Sequence, residues 1–303
     1  MHKRSNLQIR DPYVVKYNDY YYMYNTKGPN TVFYYKSKDL NNWEECGTAV
    51  EIPKADNFWA ETDVWATEVH EYNSKFYLFV SHLGKSKKRG TQVYVSKTPA
   101  GPFKPTKNGP ITPFEQSCID ATLFIDDNET PYIVYSHDWP DCFDESKNAY
   151  VGEIWAAQVD KELLNIVDEP FMLFKSDESI ISKNTPDEWD SEGKHNKRFG
   201  SDGPFIQKMK NGKLYMTWSP YLNDNYVVLS VISESGDIKG PWVHSETPLF
   251  DNNGGHAMFF DDFDGNRIMS IHAPEAYNLE RAHFYRVTET SNGFSIEEEI
   301  SFD

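Results

Sequence analysis

The chain has 303 residues, 39% of them hydrophobic and 15% aromatic, and a formal net charge of −17. That charge repels polyanions and excludes nucleic acid as the natural partner, while an uncharged ligand such as a sugar is compatible with it. The length suits one large all-β domain or two ordinary ones.

Tyr and Phe, 19 of each, lead the aromatic share, which favours strands over helices. No long run places apolar residues at i, i+3, i+4 and i+7. The start, "MHKRSNLQIRDPYVV", is basic and lacks the apolar stretch of a signal peptide or a membrane span. The expectation is a cytoplasmic protein without a membrane partner, its oligomeric state left open. Cys46, Cys118 and Cys142 are odd in number and lack metal-type spacing. They read as free thiols in a reducing compartment.

From residue 11 onward one layout recurs: an acid or His, an apolar pair, a turn, then an aromatic strand ending in a small polar residue. The first passage is "RDPYVVKYNDYYYMYNT", led by Asp11, followed by "TVFYYKS" and the Trp-bearing turn "DLNNWEE". Next comes "WATEVHEYNSKFYLFVS", with Glu68, then "TQVYVSK" and "PAGPFKP". The third, "CIDATLFIDDNETPYIVYSH", carries Asp120 and precedes "EIWAAQV". The fourth, "SDGPFIQKMKNGKLYMTWS", carries Asp202 and precedes "YVVLSVIS" and "IKGPWVH". The fifth, "GGHAMFFDDFDGNRIMSIH", carries His256 and precedes "RAHFYRV".

The lead residues lie 52 to 57 positions apart, except for an interval of 82 before Asp202 that holds polar insertions. The turns "YND", "YNS", "DDNE", "KNG" and "FDG" each separate two β-rich runs and predict hairpins. A repeat of about 50 residues with roughly four strands is the signature of a propeller blade. Five such units predict a five-bladed β-propeller, a single domain over residues 1–303. The first strand of each blade lines the central channel, so Asp11, Glu68, Asp120, Asp202 and His256 should converge on one axis.

Converging acids repel one another, and some are driven to hold a proton. Carboxylates with separated pKa values are what glycoside hydrolysis uses. One activates water and another protonates the leaving oxygen, about 6.5–9.5 Å apart in an inverting enzyme. Trp59, Trp65 and Trp139 lie near the expected channel mouth and can stack on a sugar face. Phe33, Trp59 and the 175–200 insertion are expected to select the sugar.

The order "RDP", "WATEVH", "IDATLFID", "DGPF" and "GGHAMFF" resembles glycoside hydrolase family 43 across essentially the whole chain. The resemblance implies a five-bladed propeller that hydrolyses oligosaccharides with inversion, removing a terminal α-L-arabinofuranosyl or β-D-xylosyl unit. A β-D-galactofuranosidase or a catalytically silent glycan-binding propeller is the alternative. The resemblance also implies Asp11 as general base and Asp120 as the acid that tunes pKa and orients its partner. It implies the fourth-blade acid as general acid, and His256 as an axial position that holds a calcium ion or water. No cofactor is required, and any calcium is structural.

Many members carry Glu-Gly-Pro where this chain has Asp202-Gly203-Pro204, one methylene shorter. Together with Glu280-Arg281 near the end, this resembles a subgroup. Asp202 is the expected acid, with Glu68 as its rival. His82, His137 and His272 each end an inner hairpin and either line the pocket or pack. Arg281 either binds sugar hydroxyls or pairs with an acid.

Overall fold

The computed structural model describes residues 1–184, 187–190 and 195–301. The fold is all-β, as the aromatic and β-branched runs dictate. Among the described residues the one α-helix is Ile180–Asn184. None of their helices is long and apolar enough to cross a membrane.

All five expected hairpins form, and each opens an antiparallel sheet. The first sheet runs Tyr13–Tyr17, Tyr20–Lys27, Thr31–Ser37, Asn42–Glu51, with His2–Lys3 added at its outer edge. The second is Ala60–Tyr72, Lys75–Gly84, Arg89–Ser96, Lys104–Pro105. The third is Cys118–Ile125, Pro131–His137, Glu153–Gln158, Phe171–Lys175. The fourth is Asp202–Lys208, Leu214–Ser219, Leu229–Ser233, Trp242–His244. The fifth is Gly255–Asp261, Arg267–Ala273, Arg281–Thr290, Gly293–Glu299. Two polar insertions add a small side sheet in which Ala149–Val151 runs parallel to His195–Phe199. Residues 185, 186 and 191–194 of the 175–200 insertion lie outside the described residues, and with them part of the expected sugar-selecting segment.

Neighbouring sheets pack face to face. Phe79, Val93, Leu123 and Tyr135 fill the space between the second and third sheets. Val134, Phe174, Met216 and Trp218 do so between the third and fourth. The fifth sheet returns to the first through Val14, Met23, Trp43, Phe260 and Phe284. This explains why a second strand such as Leu214–Ser219 is buried at every position rather than at alternate ones: both faces are covered. The N-terminal segment ties the last sheet down, with the buried Arg4 donating from Nη2 to the carbonyls of Ile300 (2.5 Å) and Ser301 (3.1 Å).

Each inner strand begins with a kink. The register shifts between Trp65 and Glu68, Ile119 and Thr122, Asp202 and Phe205, and Gly255 and Met258. At the kink sits a residue in the left-handed region: Ala66 (φ 42°), Asp120 (55°), Gly203 (56°) and His256 (58°). Asp11 (49°) occupies the same place before Tyr13. Bulges of this kind re-aim side chains, and strain held by non-glycine residues there clusters at functional sites.

The strand ends explain the recurrent small polar residue. Ser81 Oγ accepts the Asp120 N–H (2.8 Å) and Ser219 Oγ accepts the His256 N–H (2.9 Å). Ser136 Oγ meets Ser201 Oγ at 2.7 Å. In each case the second strand of one sheet fixes the kink of the next.

Candidate active site

The kinks surround an open cavity of about 1150 Å³ lined by Asp11, Ala66, Asp120, Asp202 and His256, among others. Four of the five expected lead residues therefore meet. The second sheet contributes Ala66, because the register shift turns the strand two residues earlier than expected. Glu68 does not line the cavity. It is buried beneath it, with His70 Nε2 at 2.6 Å from its Oε2. Glu68→Gln is accordingly expected to keep turnover within about twofold while costing about 1–3 kcal/mol of stability, since a buried charge-assisted bond is weakened. A large loss of turnover confined to poor leaving groups would return Glu68 to the role of acid.

The fourth sheet splits the duties of one position between two residues. A Cβ on Gly203 would meet the His256 ring at 2.9 Å, and its φ is left-handed. Glycine therefore takes the kink, and the acid is carried one residue earlier, on Asp202. Asp120 Oδ2 accepts the Gly203 N–H at 3.0 Å, so one acid clamps the peptide that presents the other.

Asp11 stands between one arginine and two histidines. His272 Nδ1 lies 3.0 Å and His256 Nδ1 3.3 Å from its Oδ1, and Arg10 Nε 3.7 Å from its Oδ2. Burial alone would raise its pKa, but His256, Arg10 and His272 outweigh burial and hold it far below the usual carboxylate range. Asp202 goes the other way. Burial pushes it up, and the charges of Asp138, Asp11 and Glu275 push further against the pull of Arg10. Asp120 is also raised, by burial and then by Asp202 and Asp11, against the opposing effect of His256. The surroundings thus favour the carboxylate at Asp11 and the carboxylic acid at Asp202.

Three further acids complete the site: Glu275 and Asp138, which the sequence reading did not single out, and Glu280, noted there only as part of the Glu280-Arg281 pair. Glu275 Oε1 and Oε2 both lie 2.9 Å from Arg10 Nη1, and Glu280 Oε1 lies 3.4 Å from it. Glu275 also takes the His272 Nε2 contact at 2.5 Å and accepts from Tyr221 Oη at 2.6 Å. These partners hold its pKa near 2 against burial. Asp138 lines the cavity and is raised to about 6 by burial. His272 both packs, stacked 5.4 Å from Tyr226, and serves the site by linking Asp11 to Glu275.

The expected sugar contacts divide. Trp65 and Trp139 line the cavity; Trp65 is 43% exposed and carries the Arg89 guanidinium 3.5 Å above its ring. Trp59 is buried instead, its Nε1 donating to Gln92 Oε1 at 2.6 Å. Phe33 lies off the cavity under the Lys27 ammonium, at 4.6 Å, and Lys27 itself lines the wall. Arg281 donates to the carbonyls of Ser5 and Glu280 and braces the loop that presents Glu280. His137 faces a smaller neighbouring pocket. Trp59→Ala is thus expected to cost about 3–5 kcal/mol of stability, whereas Trp139→Ala should leave melting unchanged and raise KM about tenfold, the worth of one stacking contact. Thermal melts and KM measured on both variants check the division.

Calcium takes six to eight oxygens. His256 offers one imidazole nitrogen already facing Asp11. Among the described residues the His, Cys, Asp and Glu side chains whose ligand atoms gather as a metal set are elsewhere.

The family model for glycosyl hydrolases family 43 matches residues 5–293. Among solved structures, an endo-arabinase from Bacteroides thetaiotaomicron VPI-5482 has a TM-score of 0.85 and 32% identity, covering 96% of this chain and 98% of that one. A thermostable family-43 glycoside hydrolase has a TM-score of 0.82 and 26% identity, covering 96% and 93%. Alpha-L-arabinofuranosidase 43 of Humicola insolens is 22% identical over 292 residues, 89% of this chain. The chain spans 55% of the length of that curated relative.

Proposed function

Because the chain belongs to glycosyl hydrolases family 43, we propose that it hydrolyses pentose-containing oligosaccharides with inversion, releasing a terminal α-L-arabinofuranosyl or β-D-xylosyl unit. The observation that carries this reading is that Asp11 and Asp202 line one cavity in opposite surroundings: Asp11 lies beside Arg10, His256 and His272, which pull its pKa down, and Asp202 is buried near Asp138, which pushes its pKa up. The five consecutive sheets are, in this reading, the blades of a propeller, and the chain belongs to a subgroup with Asp-Gly-Pro in place of Glu-Gly-Pro.

Asp11 takes a proton from water as the water oxygen attacks the anomeric carbon. Asp202 gives its proton to the glycosidic oxygen as the old bond breaks on the opposite face. Asp120 positions Asp202 through the Gly203 N–H. Arg10, His256 and His272 keep Asp11 charged and aimed. Trp65 and Trp139 offer faces for sugar rings. The chemistry needs no cofactor.

A second reading, cleavage within a chain, is favoured by the cavity. About 1150 Å³ exceeds the need of one pentose, and the walls stay open. The structural relative at 32% identity bears the name endo-arabinase. Product analysis on linear arabino- and xylo-oligosaccharides separates the two. Release of monosaccharide from the first time point supports the terminal reading, and early release of di- and trisaccharides supports the internal one. Turnover of a β-D-galactofuranoside alone, or glycan binding without turnover, would overturn both.

A further inference from the structure

Behind the segment that carries Asp138 and Trp139 lies a second pocket of about 470 Å³. The ligand atoms of His137, Cys142 and Glu153 lie within 4.8 Å of one another there. His137 Nδ1 is 3.3 Å from Glu153 Oε2. On the far side of the ring, Nε2 is 3.2 Å from Asp141 Oδ2.

We infer that His137, Cys142 and Glu153 form a binding site for zinc or a similar borderline-soft divalent ion, separate from the substrate cavity. Zinc bonds of about 2.0–2.2 Å to nitrogen and oxygen and about 2.3 Å to sulfur, at tetrahedral angles, place ligand atoms roughly 3.3–3.8 Å apart. The Nδ1–Oε2 separation already meets that requirement. Each ring nitrogen of His137 points at a carboxylate oxygen, Nε2 at Asp141 Oδ2 and Nδ1 at Glu153 Oε2. A positive centre must lie between them, either a proton or a metal. A carboxylate behind a ligating histidine is the usual support of such an ion.

Lys175 contacts Glu153 through Oε1 at 3.0 Å and leaves Oε2, which also accepts from Trp155 Nε1 at 2.9 Å, facing the imidazole. Entry of the metal displaces a proton from Cys142 Sγ and any proton on His137 Nδ1. Water from the open pocket takes the fourth position. The ligands come from 137, 142 and 153, a spacing no short metal motif has, so no motif marks them in the sequence. The bound ion would tie the Asp138–Trp139 segment to the strand Glu153–Gln158, from outside the cavity.

The test is a cobalt titration of the untagged full chain. Cobalt should bring a thiolate charge-transfer band in the near ultraviolet and the visible bands of four-coordinate cobalt. Zinc, and not calcium, should abolish them. Cys142→Ser should lose the ultraviolet band, His137→Gln should bind at least about 100-fold more weakly, and Cys46→Ser should match the parent. Zinc should also raise the melting temperature of the parent and not of Cys142→Ser, which keeps the test informative if His137→Gln misfolds. A parent that shows no band, or a band that survives Cys142→Ser, overturns the site.

Discussion

Asp11→Asn is expected to lower kcat by about 10²–10⁴-fold or more, the usual worth of a positioned base, and to do so equally for natural oligosaccharides and activated aryl glycosides. Water must be deprotonated whichever group leaves, so the loss should not depend on the leaving group. Folding should survive. The residue sits at φ 49°, a left-handed conformation that Asn tolerates, and Asn18 and Asn73 already adopt it in this chain. Asn keeps the shape facing His256 and His272 and removes only the proton acceptor. Circular dichroism and kcat on the purified variant check both halves. Turnover near that of the parent would remove Asp11 from the role.

Asp202→Ala should separate substrates where Asp11→Asn does not. A sugar alkoxide needs a proton in order to leave, and a dinitrophenolate hardly does. Cleavage of natural oligosaccharides should fall about 10²–10⁴-fold while much of the activity on activated aryl glycosides persists. The pH profile gives a second reading. Asp202 has its pKa raised, so it is the acid over the lower range and loses its proton as pH climbs through that raised value. The basic limb of kcat/KM reports this loss and should vanish or shift in the variant. Asp11, held far below the usual range, stays ionised at every pH on that limb. Equal slowing of both substrate types, with the basic limb in place, would make Asp202 a positioning residue. Its clamped Gly203 peptide would then be shaping a wall.

Hairpins were legible because Asn, Asp and Gly turns with aromatic flanks leave one conformation open. Asp11, Asp120, Asp202 and His256 were legible because each stands before an inner strand in a repeated frame. Glu68 was misplaced for a physical reason. In "WATEVHEY" the register shift falls between Trp65 and Glu68. Nothing in the residue types says whether 66 or 68 takes the kink, and Ala66 carries no chemistry to attract notice. Glu275, Glu280 and Asp138 sit on loops between the second and third strands of their sheets, outside the repeated frame. Only the ring of sheets brings Glu275 and Glu280 to Arg10, and Asp138 to the cavity. The available signals were the Glu280-Arg281 pair and an acid soon after a strand-ending His, at His137-Asp138 and at His272 with Glu275. Trp59 and Phe33 do not reach the cavity, because an aromatic residue near a channel mouth serves packing equally well: Trp59 is buried, and Phe33 is half-buried under Lys27.

The anomeric form of the first product tests the account most directly. Proton NMR of a reaction followed from its first minutes, before mutarotation, reads the configuration at the released anomeric carbon. Water delivered by Asp11 while Asp202 protonates the opposite face must yield the inverted anomer first. First appearance of the retained anomer would require a covalent sugar–enzyme intermediate and would contradict the roles given to both carboxyls.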